Sequence, residues 1–110
     1  MTHDASFGPL VMFGIGGVHV ELLRDVAFRV HPLTDHDARD LVRSVRGFAL
    51  LAGYRGAPPG DVPALEDLLL RVSQLAGEHA GIAEMDLNPV KVLPPGRGCV
   101  VVDARVRVRR

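Results

Sequence analysis

The 110-residue sequence predicts an α+β domain in which a mostly antiparallel sheet carries two helices on one face. Three observations predict this class: alternating apolar runs stand at both ends of the chain, two stretches with helical spacing lie between them, and glycine or proline separates the segments. Strands grouped at both ends around helices are typical of α+β layers. The predicted order is therefore β-β-β-α-α-β-β, with residues 1–110 as a single domain.

The first strands are predicted to surround a glycine cluster. Leu10–Phe13 is a short apolar run, Gly14–Gly17 follows it, and Val18–Leu23 alternates again, so the two runs form a hairpin candidate. A third strand is predicted over Val26–Val30, and Pro32 ends it because proline cannot donate to a ladder. The glycine cluster has two interpretations: a tight hairpin turn, or a close approach of the backbone to a phosphate.

Two helices follow, and each has a sequence signal at its start. Thr34 is an N-cap with Asp37 three residues later, as in a capping box, and Gly47 offers a stop. Asp61 caps the second helix, which is predicted to end near His79. Apolar residues at helical spacing form the faces that pack on the sheet. They are Ala38, Leu41, Val42 and Val45 in the first helix and Leu65, Leu68, Leu69, Val72, Leu75 and Ala76 in the second.

Polar side chains alternate along the last two predicted strands. Residues 82–93 form a strand candidate that Pro89 interrupts, residues 94–98 form a turn, and residues 99–108 form the last strand. If the turn closes symmetrically, polar residues on one face oppose each other across the two strands. The predicted pairs are Asn88 with Asp103, Asp86 with Arg105, and Glu84 with Arg107.

The pair Asn88 and Asp103 is a candidate metal site. An amide oxygen and a carboxylate are hard oxygen ligands, and Mg²⁺ typically takes one or two protein ligands with water and phosphate oxygens completing its octahedron. The sequence therefore predicts a magnesium-nucleotide site on a hairpin. The alternative is a solvated strand face that carries cross-strand charge pairs, which are common on sheets.

Composition excludes several classes of function. Thirteen basic residues balance thirteen acidic ones, so no overall basic field favours nucleic acid or an anionic membrane. A single cysteine, Cys99, excludes an internal disulfide framework. No apolar stretch approaches the ~18 residues that would span a bilayer, and no signal peptide is evident. We therefore expect a cytoplasmic protein without a nucleic-acid or membrane partner.

Three separated segments resemble, in the same order, the ADP-forming (NDP-forming) acyl-CoA synthetases. They are residues 7–28, residues 84–89 and residues 102–105, and the resemblance as a whole covers residues 5–108. It implies the C-terminal lobe of an ATP-grasp domain, which holds Mg-ATP between two lobes. The implied reaction joins an acid and CoA at the expense of ATP, giving acyl-CoA, ADP and phosphate through a phosphohistidine.

The resemblance also assigns roles to individual positions. Asn88 and Asp103 match magnesium-ligand positions. Asp86 matches an acidic residue, glutamate in the related succinyl-CoA synthetases, that orients the phosphorylatable histidine. Together with Glu21 it is a candidate catalytic residue.

The remaining assignments concern the nucleotide. Gly16 and Gly17, with Glu21, match a Gly-Gly…Glu stretch near the phosphate-handling region. Arg105 occupies a place where a cation would help to neutralise phosphate charge. The implied cofactors are Mg²⁺ and ATP or ADP.

The family parts that this sequence lacks define the expected partners. They are the remaining ATP-grasp lobe and a CoA-binding domain or subunit with its swinging histidine, so we expect a fragment that does not turn over alone. One alternative is a non-catalytic regulatory or structural module, since this synthetase-like region also occurs fused to GNAT protein acetyltransferases. Another is a plain α+β interaction domain whose exposed sheet edge binds a partner or forms a homo-oligomer such as a homodimer.

Overall fold

The computed structural model describes residues 1–15, 25–53, 56 and 58–109. Its elements alternate as strands, helices and strands, which confirms the predicted α+β class. In chain order they are β1 (Thr2–Asp4), β2 (Gly8–Gly14), β3 (Val26–Val30), α1 (Asp35–Ser44), α2 (Phe48–Leu51), α3 (Val62–Glu78), β4 (Ile82–Leu87), β5 (Val90–Val92), β6 (Cys99–Val101) and β7 (Ala104–Val108). The predicted strand over Val18–Leu23, and with it the first hairpin, lies outside the described residues.

The described strands pair antiparallel throughout. β1, β2 and β3 form one sheet in that order, β4 pairs with β7, and β5 pairs with β6. The first two groups are joined by the backbone of Met1, which exchanges two hydrogen bonds with Met85 at 2.7 and 3.0 Å. β1 therefore lies between β2 and β4.

The last two predicted strands are each divided in two. The strand candidate over residues 82–93 breaks at Pro89, as predicted, into β4 and β5. The final strand was predicted to be continuous, and this was wrong, because it breaks at Val102 and Asp103 into β6 and β7. The chain thus forms an inner hairpin of β5 and β6 and an outer pair of β4 and β7. The break places Asp103 at the start of the outer pair.

Both predicted helices are present and pack on the same face of the sheet. Thr34 caps α1 in a complete capping box with Asp37, and Asp61 caps α3, which ends at Glu78 with His79 as its C-cap. The core joins the two helices to β2 and β4. Its buried members are Val11, Ala38, Leu41, Val42, Leu65, Leu69, Val72 and Met85. No helix within the described ranges is both long and apolar enough to cross a bilayer.

Asp61 also ties helix α3 to the turn between β5 and β6. One carboxylate oxygen accepts from the Ala64 N–H at 3.2 Å and the other accepts from the Gly98 N–H at 2.8 Å. The side chain is only 7% exposed. Loss of this carboxylate would therefore leave buried N–H groups without an acceptor.

We expect Asp61→Ala to lower the free energy of unfolding by about 1–3 kcal/mol, because it removes a helix cap and an anchor of the turn. Urea denaturation followed by circular dichroism measures the change. Asp67→Ala on the same helix is the control, since Asp67 forms only an exposed pair with Arg71 and its loss is expected to cost less than about 1 kcal/mol. Equal effects of the two substitutions would contradict the anchoring role.

Candidate functional site

The candidate site lies on the exposed face of β4 and β7. The structure pairs Asp86 with Arg105 and Glu84 with Arg107, and this confirms the predicted register. Met85, between the two carboxylates, is buried in the core. Alternation along the strand therefore turns Glu84 and Asp86 away from the helices.

The predicted metal pair stands where this ladder ends. The backbone N–H of Asn88 donates to the carbonyl oxygen of Asp103 at 3.0 Å, so the two residues are direct neighbours just beyond the paired ends of β4 and β7. Hydrogen-bonded antiparallel partners have α-carbons about 5.5 Å apart and project their side chains to the same face. Both residues are exposed. The structure thus brings Asn88, Asp103, Asp86 and Arg105 together.

A groove of about 1280 Å³ runs along β4 beside these residues. Asp86, Asn88 and Arg105 line it from one side, and Met12 and Phe28 line it from the other. Asp103 is not among its lining residues. Asp86 therefore reaches the groove from β4, Asn88 from the residue after β4, and Arg105 from β7.

The apolar wall of the groove is a feature that the sequence analysis did not assign to the site. Met12 and Phe28 are both 48% exposed and pair across β2 and β3. Their neighbours Val11 and Ala27 contact the core, so this side chain pair lies on the outer face. In the sequence, the alternation of Val26, Phe28 and Val30 with Ala27 and Arg29 places these three apolar side chains on one face of β3. What it could not reveal is the position of that face beside β4, which depends on β1.

Three other candidate residues, Gly16, Gly17 and Glu21, lie outside the described residues. Their position relative to Asn88 and Asp103 therefore stays a prediction.

An ion pair at the edge of the site stabilises the charged forms of Glu84 and Arg107. The Arg107 guanidinium donates to Glu84 at 3.0 Å, and this hydrogen bond lowers the pKa of the Glu84 carboxyl below its ordinary value. The same contact raises the pKa of Arg107. Burial lowers the pKa of the Met1 amino group, while the charges of Asp86 and Glu84 act in the opposite direction. The two carboxylates on β4 therefore favour the protonated form of the Met1 amino group, although burial has the larger effect.

The pKa of Glu84 is expected to lie below the ordinary value of a glutamate carboxyl. The substitution Arg107→Gln is expected to return this pKa towards that value. Because the pKa is lowered in the folded state, the pair stabilises the fold above the unfolded-state pKa. This contribution is lost as pH falls through the folded-state pKa. The chemical shift of the Glu84 carboxyl carbon, followed by NMR against pH, measures both values. Identical titration in the two proteins would contradict the pairing.

The donor set fits a magnesium ion that also has ligands from phosphate. Asn88 and Asp103 offer one amide oxygen and one carboxylate, the hard donors that Mg²⁺ prefers, and Mg²⁺ needs few protein ligands. Within residues 1–15, 25–53, 56 and 58–109, no three His, Cys, Asp or Glu side chains cluster closely enough to hold a metal. A two-residue site with phosphate and water is therefore the arrangement that these residues suit.

Comparison with known proteins relates the chain to ATP-dependent ligases. The family described as ATP-grasp domain matches residues 1–108. ADP-forming acetate–CoA ligase I of Archaeoglobus fulgidus is 51% identical over 106 residues, which are 96% of this chain and 15% of that protein. The beta subunit of ADP-forming acetate–CoA ligase II of Pyrococcus furiosus is 49% identical over 107 residues, again 96% of this chain and 45% of the subunit.

Solved structures show the same relationship. A dinucleotide forming acetyl-coenzyme A synthetase 1 of Ca. Korarchaeum cryptofilum superposes with a TM-score of 0.92 at 50% identity, over 98% of this chain and 50% of that one. That protein was crystallised with coenzyme A and Mg-AMPPCP, with its phosphohistidine segment pointing towards the nucleotide binding site. The chain thus spans between 15% and 50% of the length of these relatives.

Proposed function

The chain belongs to the ATP-grasp domain family, and from this premise we propose that it is the Mg-ATP-binding lobe of an ADP-forming acyl-CoA synthetase. The observation that carries the proposal is the backbone hydrogen bond from Asn88 to Asp103, which places the two residues side by side at the end of the β4–β7 pair. The crystallised relative that binds Mg-AMPPCP shares half of its residues with this chain over nearly the whole chain, which supports the same nucleotide chemistry here.

Asn88 and Asp103 are the residues that would hold the metal. When bound, Mg²⁺ would neutralise charge on the nucleotide phosphates and fix their orientation. The two side chains supply one negative charge between them, so the site suits a cation that is shared with polyphosphate rather than one held by protein alone.

Arg105 and Asp86 stand two residues along their strands from the metal ligands, separated from them by the pair of Leu87 and Ala104. The Arg105 guanidinium is exposed on the same face and would bind phosphate oxygens as a fixed cation. Asp86, at the edge of the groove, would accept a hydrogen bond from an incoming histidine and hold its ring in one orientation. Gly16, Gly17 and Glu21 complete the proposed phosphate-handling site from the segment outside the described residues.

The complete reaction needs parts that this chain does not carry. The proposed net reaction joins an acid and CoA while ATP becomes ADP and phosphate, with a phosphohistidine as the intermediate carrier. The second ATP-grasp lobe and the CoA-binding domain or subunit are the proposed partners, in keeping with relatives of which the matched region is 15% and 45%. We propose that residues 1–110 do not turn over alone.

Calorimetric titration of ATP, with Mg²⁺ or with EDTA, tests this function. The isolated chain should bind weakly. A longer polypeptide that includes the second lobe should bind ATP tightly with Mg²⁺ and measurably, but much more weakly, in EDTA. Binding by the longer polypeptide that is equally tight in EDTA would contradict the proposal and favour a non-catalytic module. Acyl-CoA-dependent phosphorylation of ADP by the isolated chain would contradict its assignment as an incomplete enzyme.

A further inference from the structure

The hairpin of β5 and β6, residues 90–101, has the two candidate metal ligands at its base. Asn88 lies two residues before β5, and Asp103 lies two residues after β6. Two backbone hydrogen bonds join the strands at this end. The Asn88 N–H donates to the Asp103 carbonyl at 3.0 Å, and the Val102 N–H donates to the Pro89 carbonyl at 2.9 Å. The hairpin therefore sets the relative position of the two ligands.

The other end of the hairpin is attached to the start of α3 through Asp61. The backbone N–H of Asp61 donates to the Leu93 carbonyl at 2.7 Å, and its carboxylate accepts from the Gly98 N–H at 2.8 Å. Leu93 and Gly98 also bond each other, since the Leu93 N–H donates to the Gly98 carbonyl at 2.9 Å. Asp61 thus holds both sides of the turn, one with its main chain and the other with its side chain.

Apart from Asp61, little holds β6 against the helices. In the described part of the chain, the remaining hydrogen bond between a helix and the hairpin is a 3.9 Å contact from the Cys99 thiol to the Ala64 carbonyl, and a thiol is a weak donor. Val100 and Val101 are 48% and 37% exposed, so much of their apolar surface stays in solvent. The position of β6 therefore depends mainly on Asp61.

The carboxylate of Asp61 does more than cap its helix. A helix cap needs one side-chain oxygen, and here one oxygen accepts from the Ala64 N–H while the second accepts from Gly98. The side chain is buried, so little water reaches this contact. A Gly98 N–H that lost its acceptor would be drawn towards solvent, and the turn would move with it.

We propose that Asp61 is a positioning residue for the metal site, because by fixing the turn it holds Asn88 and Asp103 at the spacing that a shared cation requires. The role of these two ligands rests on the proposed function, whereas the attachment of the hairpin to α3 does not. β5 and β6 pair at three successive positions between the turn and the base. A displaced turn would therefore shift the strand that leads to Asp103 against the strand that follows Asn88.

The substitution Asp61→Ser separates this role from helix capping. Serine is a good N-cap and offers one oxygen to the Ala64 N–H, but its shorter side chain does not reach Gly98. Thr34→Ala is the matched control, since it removes the side-chain acceptor that caps α1. Each substitution removes one acceptor at the start of a helix, and only Asp61→Ser affects the turn.

Amide hydrogen exchange of the chain, without nucleotide or metal, measures how firmly the base of the hairpin is closed. In Asp61→Ser we expect the amides of Asn88 and Val102 to exchange at least about tenfold faster than in the parent protein. The amides of α1 should change less. In Thr34→Ala the order should be reversed, with the amides of α1 affected more than those at the base of the hairpin.

Calorimetry on the polypeptide that holds both ATP-grasp lobes relates this geometry to the cation. Asp61→Ser should weaken Mg-ATP binding by about tenfold, the lower end of what loss of a ligand-orienting partner costs. The affinity for ATP in EDTA should stay at the parent value, because the substitution acts only through the metal ligands. Thr34→Ala should change neither affinity.

Parent exchange rates at the base of the hairpin in Asp61→Ser would overturn the inference, and so would equal acceleration in Thr34→Ala. A parent Mg-ATP affinity in Asp61→Ser would also overturn it, provided that Asp103→Ala weakens binding. If neither Asp61→Ser nor Asp103→Ala changes Mg-ATP affinity while the base of the hairpin exchanges faster, the proposed function is contradicted and the attachment through Asp61 stands.

Discussion

Asp103→Ala is expected to weaken Mg-ATP binding by the polypeptide that holds both ATP-grasp lobes by about 100-fold, or about 2.8 kcal/mol. The substitution removes the only carboxylate of the paired metal ligands, so the cation would keep a single neutral protein oxygen. Asp103 is exposed and its backbone carbonyl, not its side chain, bonds Asn88. The fold should therefore survive the change.

Calorimetry with and without Mg²⁺ separates this effect from a general loss of binding. ATP affinity in EDTA should be the same in the variant and the parent protein. Asn88→Ala should weaken binding less, because it removes a neutral ligand. Asp67→Ala, which removes an exposed carboxylate on α3, should bind Mg-ATP as the parent does. Unchanged Mg-ATP affinity in the Asp103 variant would refute the metal site.

Leu41→Ala is expected to lower the free energy of unfolding by about 2–5 kcal/mol. Leu41 is fully buried between the two long helices and the sheet, so the truncation removes apolar contacts and leaves a cavity. Domains of this size have total stabilities of roughly 5–15 kcal/mol, so this one change would remove a large share.

Urea denaturation of the parent protein and of the variants Leu41→Ala and Leu50→Ala measures this effect. Leu50→Ala is the matched control, because Leu50 on α2 is 57% exposed and its loss should cost less than about 1 kcal/mol. Comparable losses from Leu41→Ala and Leu50→Ala would show that the core does not lie between the helices and the sheet.

The parts of the fold that the sequence predicted are those with local signals. Thr34 and Asp37 satisfy each other's backbone N–H groups within one turn, so the start of α1 needs no distant contact. The register of β4 and β7 follows from the short turn that joins β5 and β6. For the same reason the adjacency of Asn88 and Asp103 could be predicted.

The features that the sequence did not predict depend on distant partners. Thr2–Asp4 shows no apolar alternation, and β1 exists because β2 and β4 offer it backbone hydrogen bonds. The alternation along β7 predicted that its valines share one face. It did not predict their exposure: Val106 pairs with the buried Met85 and is nevertheless 53% exposed. The groove could not be predicted from any one strand, because it forms only where β2 and β4 face each other.

Paramagnetic broadening by Mn-ATP locates the cation on the protein. In an NMR titration of the polypeptide with both lobes, the amide signals of Asn88 and Asp103 should broaden at the lowest Mn-ATP concentrations, followed by those of Asp86 and Arg105. Signals of Asp67 and Arg71 on α3 should stay sharp. If Asn88 and Asp103 stay sharp while another part of the chain broadens, the cation of the nucleotide is not held by this strand pair.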